Sequence, residues 1–235
     1  MTKSSGAPAF FEVMAWVFLA IVVCGFGSIQ LLMPEQASPM RPTLLLHTGL
    51  FALWFVLLIV QSRLIGARNI KRHQRIGKAS VGLALAMVVA GCVITYEAYH
   101  KPGWSIAGLT PQGSLMFPLS DMVFFPLAYT LAILNRHKGD AHKRYMLFAG
   151  MVMLDPALAR LVAGLGLFPP LIMGVEFALI AAVMLYDRKR LGRVHSATWF
   201  GAGLIVVTYP LAFVVAPSAA WSALVTQALG APGAP

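Results

Sequence analysis

Seven apolar runs dominate this sequence, at about 9–33, 43–66, 77–99, 114–135, 144–166, 169–187 and 196–217. Each approaches or exceeds the roughly 20 residues that a helix needs to cross a bilayer. Hydrocarbon offers backbone N–H and C=O groups no partners, so each run has to pair its own by coiling into a helix. Charged residues make up 11% of the chain and the mean hydropathy is +0.77. Soluble domains carry roughly 25% charged residues, and a chain this apolar has too few to cover an aqueous surface. Those figures exclude a soluble globular domain, a disordered chain and a nucleic-acid module, despite a formal charge of +10. The expected fold is an all-α polytopic membrane bundle of seven transmembrane helices, one helix followed by three hairpins. Residues 1–226 form its single domain. Residues 227–235, ending GAPGAP, read as a short flexible tail.

The basic residues set the direction of threading. Lys3 and the turns joining runs two to three, four to five and six to seven hold fifteen of the eighteen Lys and Arg. Positive charge stays on the cytoplasmic side, so the amino terminus is expected in the cytoplasm and the carboxyl terminus outside. Clusters spread over three turns do not make the single basic face of a nucleic-acid binder. The partner they imply is the lipid bilayer. Cys24 and Cys92 lie inside apolar runs without metal-ligand spacing and read as small buried hydrophobes. Gly82, Ala86 and Ala90, at four-residue intervals, are expected to form a close-packing face on the third helix, and Gly201 and Ala202 on the seventh.

Ionisable residues inside the runs carry the functional signal, because burying charge in a membrane is costly and demands a partner or water. Each descending helix holds one in its outer half: His47, Asp121 and Glu176. At 1.5 Å per residue, Asp121, Glu176 and Arg160 come to a similar depth, roughly 10 Å below the outer boundary. His47 is shallower and Asp155 deeper. Arg160 is the expected counter-ion for Asp121 or Glu176, since its fork suits a carboxylate. Two readings follow: a closed ion-pair network that locks the bundle, or a cavity open to the outside that binds a small molecule or ion. Pro156, directly after Asp155, frees a carbonyl one turn earlier and should bend the fifth helix.

Each basic turn also carries a histidine at the start of an ascending helix: His73, His142 and His195. Three imidazoles at one membrane face could ligate a divalent metal, or two could hold the iron of a b-type haem. Their dense basic surroundings disfavour a bound cation, and as residues at the level of the lipid headgroups they need no further function.

The stretch Leu46–Gly77, with His47, Gln61, Arg63, His73, Arg75 and Gly77, resembles the bacterial membrane-protein family called domain of unknown function 2306. A second stretch, AHKRYMLFAGMVMLDPALARL, is similar through His142, Arg144, Met146, Arg160 and Leu161. Gln74 and the Asp155-Pro156 pair depart from that pattern. The resemblance implies a single membrane bundle in the bacterial inner membrane and no particular reaction. Three functions stay open: a membrane protein binding a ligand or cofactor, redox-active or not; a small proton- or cation-coupled transporter; and a non-catalytic subunit with a membrane-protein partner.

Overall fold

The computed structural model describes residues 6–36, 39 and 41–233; Lys3 lies outside them. It is all-α. Helix α1 spans Gly6–Leu32, α2 Pro42–Gly66, α3 Ile70–Tyr99, α4 Pro111–Ser114 and α5 Met116–Leu134. Then come α6 (Gly139–Val152), α7 (Asp155–Gly164), α8 (Leu171–Leu191) and α9 (Ser196–Pro210), which runs into a π-helical turn at Leu211–Val215, and α10 (Ala219–Leu229).

Local chemistry sets the ends of these helices. Pro42 opens α2, where a missing N–H costs nothing. Asn69 accepts the Arg72 N–H at 3.2 Å and starts α3. That start lies ahead of the expected residue 77, because the basic RHQRIGK segment coils with the apolar run it precedes. Gly192, at φ 71°, stops α8 in the left-handed conformation that glycine adopts without strain. Between α6 and α7 the axis turns by 43° across Met153 and Leu154. Pro156 lacks the N–H that would bond the Val152 carbonyl, so the expected bend falls there.

Among the described residues five helical segments are long and apolar enough to cross a membrane, and α6 with α7 makes a sixth if the bent pair counts as one span. The protein is a multi-pass helical membrane bundle. Large apolar side chains on its outer surface, such as Leu31, Leu85, Val89 and Phe213, are exposed as contact with lipid requires. Cys24 and Cys92 share that exposed surface, contrary to the buried positions expected for them. The tail expected from Gln227 begins later, because Gln227, Ala228 and Leu229 form the last turn of α10.

Small residues bring the helices together, and of the face expected on α3 Ala90 is buried while Gly82 is not. Gly82 is exposed and meets no neighbour. The close approach is between α1 and α7, where Gly25 lies against the Ala157 backbone and Gly164 against Ser28. Ser28 Oγ adds bonds to the carbonyls of Gly25 (2.8 Å) and Arg160 (3.1 Å). On α9, Gly201 does pack as expected, against Phe148.

The two ends of the bundle differ. At one, Arg63 pairs with Glu12 at 2.7 Å, the His73 and His142 rings stand 6.3 Å apart, and Arg144 pairs with Asp187. These contacts gather the three basic turns and the start of α1 into a basic end. At the other, Thr43 bonds Glu97 (3.1 Å), Tyr99 bonds the Gly230 carbonyl (2.8 Å) and Trp221 bonds the Gln112 carbonyl (2.8 Å).

Candidate functional site

Three carboxyl groups from three helices converge in the half of the bundle away from the basic end. Asp121 sits on α5 with 7% of its surface exposed, and Glu176 on α8 with 2%. Asp155 is the first residue of α7, carried inward by the bend before it. The three carboxyls are close enough for Asp155 to act electrostatically on Glu176, and for both to act on Asp121. Tyr209, near the end of α9, donates its hydroxyl to Glu176 Oε2. Asp121 and Asp155 open with Ser120 and Thr208 onto a cavity of about 10 Å³. That is close to the smallest space that holds one water molecule.

The expected counter-ion does not join them. Among the described residues the ion pairs are Arg41–Glu97, Arg63–Glu12, Lys143–Asp140, Arg144–Asp140 and Arg144–Asp187, none of which touches the three acids. Arg160 is exposed on α7, where its Nη1 donates to the Pro156 carbonyl at 2.8 Å and its guanidinium lies 4.6 Å from the Phe26 ring centre. The reason is angular. Residues five apart are about 140° apart around a helix axis, so turning Asp155 inward turns Arg160 out. His47 also leaves the group. It packs against Phe51 with ring centres 4.1 Å apart and planes tilted by 30°, within electrostatic reach of Arg160.

The inner histidines divide as well. His73 and His142 face each other, and His142 Nδ1–H donates to the Ala132 carbonyl at 2.8 Å. His195 instead caps α9: its Nδ1 accepts the Ala197 N–H at 3.0 Å and its own N–H donates to Asp187 Oδ2 at 3.0 Å. Burial first, and the nearby Arg144 guanidinium second, hold the His195 imidazole below its ordinary pKa, which suits an acceptor nitrogen. Among the described residues no group of three or more His, Cys, Asp or Glu is placed to hold a metal ion.

A buried ion pair at the basic end gave no signal in the sequence reading. Arg144 and Asp187 are both fully buried. Arg144 Nε and Nη2 bond Asp187 Oδ1, while Nη1 reaches the Asp140 carbonyl at 2.6 Å. Asp187 Oδ2 also accepts from Thr198 at 2.6 Å. The pair therefore ties α6 to α8 and to the start of α9. Both residues sit in basic clusters that read as solvated turns; the available signal was Asp187 itself, the lone acid ahead of Arg188-Lys189-Arg190. Tyr209 was missed because a hydroxyl among apolar residues carries no charge signal.

Set against known protein families, curated proteins and solved structures, the chain matches none.

Proposed function

We propose that this chain is a seven-pass protein of the bacterial inner membrane, amino terminus in the cytoplasm, and that Asp121, Asp155 and Glu176 form the proton-binding site of a small proton-coupled carrier. The observation that supports this reading is the convergence of three carboxyls with no basic partner among the described residues. Negative charge concentrated in a low-dielectric interior has to be neutralised by a proton or a bound cation. A broken helix beside charged groups is the arrangement by which membrane carriers present an ion site, and Asp155 stands at the 43° break.

Counting α8 as a span follows from where its charges go. Glu176 faces the acid cluster, Asp187 is neutralised by Arg144, and Arg188, Lys189 and Arg190 lie in its last turn at the basic end. The remaining faces are apolar. The positive-inside rule then places the basic end in the cytoplasm. The resemblance to domain of unknown function 2306 remains part of this proposal, on the residues that carry it.

A small organic ligand or haem has less support at the acid cluster, where the cavity holds about one water. Of the histidines considered for haem or a divalent metal, His73 and His142 come together while His195 is engaged as a helix cap. No step is assigned to a cofactor there.

Reconstituted vesicles under an imposed proton gradient test the proposal. Flux is expected in the wild type, lost in Asp155→Asn and Glu176→Gln, and kept in Arg160→Gln. No wild-type flux, or flux indifferent to both carboxyl variants, overturns it. In that event a subunit with merely structural acids is the better reading.

A further inference from the structure

The basic half of the bundle holds buried polar atoms that the acid cluster does not use. Trp54 is fully buried and its indole N–H has no hydrogen-bond partner among the described residues; nor do Gln61 Oε1 and His73 Nδ1. Trp54 and Gln61 lie seven residues apart on α2, and His73 and Ser80 seven apart on α3, so each pair shares a helix face. The two faces meet, because Gln61 Nε2 donates to the His73 carbonyl at 3.3 Å. The Ser80 and Tyr129 hydroxyls bond each other at 2.8 Å, and the Tyr129 ring lies 5.7 Å from that of Trp54. One turn further along α5, the Ala132 carbonyl holds His142, whose ring faces His73. Four helices thus enclose one run of polar atoms reaching from the basic end into the interior.

An orphaned buried donor or acceptor loses its hydration without replacement, and protein interiors repair such gaps with ordered water. Toward the acid cluster the run stops. Phe125 lies between Tyr129 and Asp121 on α5 and is fully buried, with its ring edge-on to Trp54 at 4.9 Å.

We propose that the space between α2, α3, α5 and α6 holds a file of water entered from the basic end and closed by Trp54 and Phe125, and that it is the second access route to the carboxyl site for protons. The route rests on the reading of that site as an ion site; the water file stands without it.

Radiolytic labelling of the full-length protein in heavy-oxygen water reads the file directly. Trp54 and Tyr129 are expected to take up label although buried, while Phe18 and Phe55, buried among apolar side chains, stay unlabelled. Replacing the orphaned groups with Gln61→Leu and His73→Phe should abolish label at Trp54; Gln61→Leu alone serves if the double variant does not fold. Unlabelled Trp54 and Tyr129 in the wild type, or label that persists in these variants, overturns the water file. Trp54→Ala should raise passive proton leak across reconstituted vesicles, and an unchanged leak overturns the route. Label without wild-type ion flux would sink the carrier reading and leave the file; flux without label would do the reverse.

Discussion

Arg144 and Asp187, on α6 and α8, form a fully buried ion pair whose four further bonds leave neither charge short of a partner. Removing one member of such a pair leaves an uncompensated charge and costs about 3–5 kcal/mol, whereas an apolar pair of similar volume is often neutral or better. Asp187→Leu or Arg144→Met alone is therefore expected to lower the unfolding midpoint in detergent sharply. The double replacement should recover most of the loss. Equal losses in single and double variants would show that the pair does not act as a unit.

His195 gives stability a pH dependence of known sign. Its imidazole must stay unprotonated at Nδ1 to accept the Ala197 N–H, and its folded-state pKa is held below the ordinary 6.5. The folded state then binds the proton less readily than the unfolded state. Its contribution is fully present above 6.5 and is lost as pH falls through the folded value. The unfolding midpoint should drop more steeply below 6.5 in the wild type than in His195→Asn, which keeps a capping side chain without a titratable ring. Identical profiles would remove the cap from the account.

Close packing of α1 on α7 separates two glycines that look alike in the sequence. A methyl group at Gly25 would run into the Ala157 carbonyl, while one at Gly82 meets open space. Gly25→Ala should destabilise by about 1–3 kcal/mol, the usual range for overpacking. Gly82→Ala should be neutral or slightly stabilising, and thermal unfolding of the two variants side by side gives the answer.

Much of the fold was legible because the membrane leaves an apolar run little choice but a helix. The bend at Asp155-Pro156 could also be read, since one missing N–H decides it. Helix α10 was not, being too short for a transmembrane hydropathy signal. Depth along a helix follows from counting residues, and that brought Asp121 and Glu176 to one level; Asp155, counted as deeper, joins them at the break between α6 and α7. Rotation about the axis does not follow from depth, and it is rotation, after the break in α7, that sends Arg160 away from the acids and toward Phe26. The Arg144–Asp187 pair escaped for a related reason: a charge in a basic turn looks solvated until its helix neighbours are known.

The central claim is that Asp121, Asp155 and Glu176 act as one ion-binding group. Infrared difference spectra of the membrane-reconstituted protein, recorded across a pH step, address it most directly. Carboxyl bands are predicted in the wild type that diminish in Asp155→Asn and Glu176→Gln and persist in Glu97→Gln, whose parent carboxyl lies with Arg41 and Thr43 at the bundle end. A wild-type spectrum without carboxyl bands, or bands untouched by either cluster variant, would contradict the account.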